Sequence, residues 1–431
     1  MQECVYDGEI QGLKYKVQEN GIAIVGVQDN TLTFVKIPAA IEGKPVVEIG
    51  DFAFFDCRKL TKVEMPDTIA LIGIKAFAKC VALSDTELPP RLCKIEFDAF
   101  WDCLHLTRIL LPASLMSIGE SIFNNCTNLI AVDCDPNNLS FRSVDGVVYS
   151  KNGKSLLIYP CGRKGPFTVP DGVEEIGAFA FAGNTHLTDI ILPESIIEIG
   201  FCAFAYCESL SKIIIPINTL YLRNNAFTYC TGLIKAVIPA SVLKMEDGLF
   251  SGCTNLTHAA IPASVQEVED CVFENCTSMN SIDCDPDNPY YKSVDGALFD
   301  KDGKVLIQYP CGKAGPYEIP DGVETIGPFA FNDCSCLSEI KFPESVIKIE
   351  LNAFVSCIRL TRVELPKKLK AVEFRAFAGC SNLIDAIIPG TIEKIAENTF
   401  LNCDRLTIHT TPDSPAAQYA QMENFPVVFD L

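Results

Sequence analysis

Leu60-Thr-Lys-Val63-Glu-Met65-Pro66 runs on through Ile69-Ala-Leu-Ile72-Gly73 to Ala76-Phe77-Ala-Lys-Cys80, and this one stretch decides the fold. Apolar residues alternate over Val63 and Met65, the period of a strand with one buried side. Pro66 closes that strand, because proline has no N–H to give to a ladder. Ile69 and Ile72 then make a second, shorter extended step that ends at a glycine. Ala76 and Phe77 follow at the phase that returns to the core. A single coil of this kind cannot bury its Leu and Phe alone. It needs neighbours stacked on it, about 4.8 Å apart.

Those neighbours are in the sequence. Cys57, Cys80, Cys103 and Cys126 are 23 residues apart, and the spacing recurs in Cys207, Cys230, Cys253 and Cys276 and in Cys334, Cys357, Cys380 and Cys403. Asn184 holds the place of one further cysteine. Each of the thirteen rungs carries Phe three residues earlier, from Phe54 to Phe400, and Leu three residues later, with Met279 as the one substitute. Such a repeat specifies a mainly-β solenoid with a continuous core. It also explains why 27 Phe and 21 Cys accompany a single Trp.

The motif Leu-x-x-Val/Ile-x-Ile/Leu-Pro, then Val/Ile-x-x-Ile-Gly, then Ala-Phe-x-x-Cys resembles the leucine-rich repeat of the BspA type, found in bacterial and protist surface proteins. The resemblance covers nearly the whole chain. It departs from commoner leucine-rich repeats in placing Cys or Asn before the strand rather than after it. It implies a right-handed superhelix, here of about 13 coils. It also implies a non-enzymatic scaffold, on the cell surface or secreted, that serves adhesion or protein–protein interaction with a host or matrix protein.

Seven segments are expected. Residues 1–41 form an N-terminal cap, in which Leu13 to Val17 and Ile22 to Val25 are strands joined at Glu19-Asn20-Gly21. Repeat blocks occupy 42–135, 170–285 and 320–410. Between them lie two related segments, 136–169 and 286–319, read as inserted hairpins because Asn152-Gly153 and Asp302-Gly303 separate apolar runs. They repeat at an offset of 150 residues, so an ancestral block was duplicated. Residues 411–431 form a C-terminal cap with one short helix over Ser414 to Met422.

Composition narrows the chemistry. With 48% hydrophobic residues the chain is not disordered, and its formal charge of -20 disfavours nucleic acid and anionic membrane surfaces. No apolar run is long enough to span a bilayer, and Met1-Gln-Glu-Cys-Val-Tyr-Asp7 lacks signal-peptide character, so a soluble monomer is expected. Ladder cysteines are read as small buried hydrophobes, with Asn184 able to satisfy the same backbone groups. A duplicated disulfide, Cys134–Cys161 and Cys284–Cys311, is an alternative in an extracellular setting. His105, His186, His258 and His409 have no metal-ligand spacing. Asp283-Cys-Asp285-Pro-Asp287-Asn288 is a turn rather than a Ca²⁺ site. Ser-x-x-Lys at Ser209, Ser241 and Ser345 lacks partner motifs, so no catalytic residue, cofactor or metal is assigned, and a hydrolase groove is disfavoured.

Partner binding is expected on the exposed side of the strands. For the rungs from Cys57 to Cys380, the position seven residues later reads Glu64, Glu87, Leu110, Asp133, Ile191, Ile214, Val237, Ala260, Asp283, Lys341, Glu364 and Ile387. Ile191, Ile214, Val237 and Ala260 thus form an apolar strip between two aspartates; beside it the fifth position gives Asp189, Lys212, Lys235 and His258, so the edge is locally basic. A bland alternative is that repeat drift left aliphatic residues on a strand face covered by its own insertion or by curvature.

Overall fold

The computed structural model describes residues 6–431, so the first five residues of the expected N-terminal cap lie outside it. The chain is a mainly-β solenoid of about 18 turns with one short helix. Among the described residues, no helix is long and apolar enough to cross a membrane. Contacts divide the chain into two compact units, Met1–Leu210 and Ser211–Leu431.

In the first unit, the coil quoted above folds as its pattern dictates. Lys62–Glu64 is a face strand with Val63 buried between two outward neighbours, and it pairs in parallel with Phe34–Lys36 and Asp85–Thr86. Past Pro66 the Ile69 N–H donates to the Pro66 carbonyl at 3.2 Å, turning the chain into the step strand Leu71–Ile72. That strand lies between Lys44–Ile49 and Lys94–Ile95, in parallel register. Gly73 is required here, since a Cβ would stand 2.7 Å from the Asp51 nitrogen of the coil before. A ridge then carries the chain back, with Lys75 and Lys79 at φ 52° and 63°. Its backbone forms a third ladder, in which Phe54 N–H donates to Ala76 O at 2.7 Å and Phe77 N–H to Ala99 O at 2.8 Å.

Coil spacing fixes the core chemistry. Phe54, Phe77, Phe100 and Phe123 stack with centroids 5.1, 5.1 and 5.6 Å apart, the separation that parallel β-coils impose and offset aromatic pairs prefer. The ladder thiols of Cys80, Cys103, Cys126, Cys207, Cys253, Cys276, Cys357, Cys380 and Cys403 each donate an S–H to the phenylalanine carbonyl of the preceding coil. Cys103 reaches Phe77 O at 3.2 Å and Cys126 reaches Phe100 O at 3.1 Å. Asn184 does the same with its amide, donating to Pro160 O at 3.1 Å. The second unit repeats both ladders, for instance Phe331, Phe354, Phe377 and Phe400 at 4.6, 4.9 and 5.4 Å.

The turn count exceeds the thirteen read from Phe–Cys pairs because the segments read as inserted hairpins also contribute coils. Phe141–Val144, Val147–Ser150 and Ser155–Ile158 form an antiparallel meander. Its third strand joins the step ladder in parallel with Glu175–Ile176, and Gly165–Thr168 joins the face in parallel with Leu187–Ile191. Tyr159 stacks on Phe181 at 4.7 Å in place of a phenylalanine. The second unit repeats this with Tyr291–Val294, Ala297–Asp300 and Val305–Gln308, and with Tyr309 on Phe331 at 4.9 Å. The N-terminal strands Gly8–Ile10, Leu13–Gln18 and Gly21–Val27 make the same meander, and the third pairs in parallel with Lys44–Ile49. All three turn at a two-residue loop with both φ positive: Gln11-Gly12, Asp145-Gly146 and Asp295-Gly296.

The disulfide alternative is corrected. Cys311 bonds Cys334, whereas Cys134, Cys161 and Cys284 are thiols. Cys161 and Cys311 are themselves ladder positions, and Cys311 bonds the cysteine of the following rung. In the first unit that rung holds Asn184.

The C-terminal helix Pro415–Met422 forms as expected, with Ser414 Oγ accepting from Ala417 N–H at 3.1 Å. Tyr419 meets Phe400 edge-on at 6.1 Å and ends the ring stack. The strand Val427–Phe429, not foreseen, pairs in parallel with Thr407–Thr410.

Two outcomes follow from the core. Phe100→Ala should lower unfolding free energy by about 3–5 kcal/mol in urea titrations, through lost apolar area and an unfilled slot. Burial pushes the Cys103 and Cys126 thiols well above their ordinary value of 9.0. Their neutral form is favoured by folding, so that stability is intact below about pH 9 and falls as pH rises further. Each contributes a loss of about 1.4 kcal/mol per pH unit in that window. Urea midpoints between pH 8 and 10.5 should therefore fall less steeply for Cys103→Ser than for the parent chain.

Candidate protein-binding face

The face strands alternate as a half-buried sheet must. Ile213 and Ile215 are buried with Ile214 66% exposed between them, and Ala236 and Ile238 are buried with Val237 48% exposed between them. Lys235–Val237 pairs in parallel with His258–Ile261, setting Lys235 beside His258 and Val237 beside Ala260. Lys212 forms an isolated parallel bridge to Lys235, so the same register offset carries Ile214 to the level of Val237. Ala260 and His258 are half-buried. In the second unit the structure thus brings together Lys212, Lys235, His258, Ile214, Val237 and Ala260. Ile191, 64% exposed at the end of Leu187–Ile191, belongs to the first unit.

Ile214 and Val237 are exposed, so neither is covered by an insertion or by the curvature of the face. Ile234, 54% exposed just before Lys235, enlarges the apolar surface. The sequence reading passed over it because it lies before the alternating part of the strand. The outward column also gains Thr168, opposite Ile191, and Glu318, opposite Lys341, from the coils hidden in the two meanders. Their signal was Tyr159-x-Cys161 and Tyr309-x-Cys311, a contracted form of Phe-x-x-Cys.

At other places on the face, ion pairs cross the coils. Lys36 meets Glu64 at 3.3 Å, Arg108 meets Asp133 at 2.8 Å, and His409 meets Asp385 at 3.1 Å. His258 meets Asp283 at 3.3 Å, closing one side of the patch. Exposed pairs of this sort contribute under about 1 kcal/mol each, but they show which geometry the face uses.

The remaining polar motifs serve the framework. The hydroxyls of Ser209, Ser241 and Ser345 donate to the carbonyls of Thr185, Thr219 and Val323, each in the coil before. His105 Nδ1 lies 2.6 Å from Val81 O. In the acidic run, Asp285 Oδ1 accepts the Asp287 N–H at 2.9 Å. The fully buried Asn288 donates to Pro262 O and Val265 O, both at 2.9 Å. These are turn contacts. Among the described residues, no group of three or more His, Cys, Asp or Glu side chains is arranged to hold a metal ion.

Comparisons with solved structures place leucine-rich repeat proteins beside this chain. One from Eubacterium ventriosum is 22% identical over 86% of this chain and 93% of its own, with a TM-score of 0.49. One from Bacteroides ovatus is 24% identical over 99% and 100%, with a TM-score of 0.41. A leucine-rich cell surface protein from Faecalibacterium prausnitzii is 22% identical over the full length of both chains, with a TM-score of 0.39. None of the curated proteins gives a significant sequence match. The model of the BspA type leucine rich repeat region matches in six copies over residues 47–145, 159–280 and 309–420. By this match and by its Phe and Cys ladders, this chain belongs to the BspA-type leucine-rich repeat family.

Proposed function

We propose that this chain is a non-enzymatic binding scaffold, displayed on or secreted from a bacterial cell, that holds a protein partner against its face strands. The observation that carries the reading is the exposed pair Ile214 and Val237, adjacent in register and each set between buried neighbours. Exposed aliphatic side chains in adjacent register on a rigid sheet are the usual core of a protein contact. Rigidity supports the reading too, because stacked coils present their side chains without an ordering cost at the moment of binding. Location outside the cell rests on the family, whose members are surface proteins. A second reading, an interaction module kept inside the cell, draws support from the many cysteines that remain thiols, a pattern usual in reducing compartments.

Direct binding of the full chain to a panel of extracellular-matrix and plasma proteins tests the first reading. The parent should bind at least one of them saturably at physiological salt. Ile214→Asp with Val237→Asp should weaken that binding at least about tenfold, while the thermal transition stays within a few degrees, because substitutions at exposed positions rarely cost more than about 0.5 kcal/mol. A variant that melts or aggregates shows the two side chains to be structural. Binding by neither protein turns the reading to the intracellular module.

A further inference from the structure

We propose that the partner surface meeting this patch is acidic: a protein segment that places carboxylates over Lys212 and Lys235 and aliphatic side chains over Ile214, Ile234 and Val237. The inference deepens the binding-face reading and rests on it.

Lys212 and Lys235 stand directly opposite each other across a parallel bridge, and both are exposed. Like charges in that position repel, at a strand separation of about 4.8 Å. No carboxylate among the described residues lies within ion-pair distance of either ammonium, although the chain carries 55 Asp and Glu against 35 Lys and Arg. At two other places on the face, a basic side chain at the fifth position after the rung meets a carboxylate at the seventh position of the next coil. Arg108 meets Asp133 in this way, and His258 meets Asp283. By the same geometry the counter-ions of Lys212 and Lys235 would stand at Val237 and Ala260. The substitutions that make the patch apolar are thus the ones that strip the two lysines of their partners. The patch has both an uncovered apolar surface and an unneutralised charge pair, and one acidic, aliphatic segment relieves both. A sulfated glycan or other bare polyanion would neutralise the lysines, but it would leave Ile214, Ile234 and Val237 in water and meet the field of a chain with net charge -20.

The full chain is titrated with four probes: a labelled twelve-residue peptide alternating Asp or Glu with Val or Leu, its Asn/Gln counterpart, polyglutamate, and heparin. The acidic aliphatic peptide should bind saturably below about 1 mM, roughly tenfold or more tighter than the other three. Its affinity should fall as salt rises from low to high ionic strength. Lys212→Glu with Lys235→Glu should abolish that binding and transfer it to a peptide with Lys in place of Asp and Glu. Lys235→Glu alone should raise the urea midpoint of the free protein, since it replaces a repulsive pair with an attractive one.

Equal binding of the acidic and amide peptides, with the lysine variants unchanged, overturns the charge requirement and leaves the binding face standing. Heparin or polyglutamate binding as tightly as the acidic aliphatic peptide overturns the choice of a protein segment. No saturable binding of the acidic peptide, or a lowered midpoint for Lys235→Glu, overturns the inference outright.

Discussion

One spacing governs this molecule. Parallel coils joined by backbone hydrogen bonds must repeat at about 4.8 Å, and any side chain pointing inward meets its own copy at that distance. The core residue therefore has to pack well against itself. A flat ring does so by offset stacking, which is why Phe stands at one phase in thirteen rungs and why the larger indole of Trp does not. The cysteine ladder has the same origin. The phenylalanine carbonyl points along the stack toward the next coil, and a thiol is small enough to fit there, apolar enough to be buried, and still able to donate. Asn184 marks the one rung where an amide makes the bond instead.

Much of this was legible in the sequence because the physical signals are local and periodic. The phase of Phe and Cys, the alternation over Val63 and Met65 and the proline stops determined which side chains face inward. The exposed setting of Ile214 and Val237 followed from the same count. The coils inside the meanders escaped notice because their ladder residues are Tyr159 and Tyr309 with a shortened spacing to Cys161 and Cys311. A search keyed to Phe and 23 residues passes over them. The sequence alternative Cys134–Cys161 and Cys284–Cys311 rests on distance within a segment, whereas position on the ladder decides which sulfurs meet. The strand Val427–Phe429 carries no repeat signal, and its pairing with Thr407–Thr410 depends on the helix that returns the chain.

The two related halves show which parts tolerate drift. Asn184 in the first unit corresponds to Cys334 in the second, so only the second carries the Cys311–Cys334 bond. Phe141 corresponds to Tyr291, whose hydroxyl accepts the Val268 N–H at 3.0 Å and so caps the last step strand of its block. Buried rings and glycine contacts are kept by the coil spacing, whereas the outward positions are free to move between carboxylate, lysine and aliphatic side chains. A face on a solenoid can thus be rewritten without disturbing what holds it up.

The meander at the head of each block has a consequence for how the chain reaches this structure. The ladders that join parallel coils are not short-range contacts, since every ladder partner lies about one repeat away. Their assembly is slow unless something supplies a first edge. The antiparallel hairpins at Asp145-Gly146 and Asp295-Gly296, and that at Gln11-Gly12, close over a few residues and end in a strand already aligned for the next coil. Each block therefore carries its own nucleus, and as the chain leaves the ribosome a block can wind onto its meander before the following one has been made.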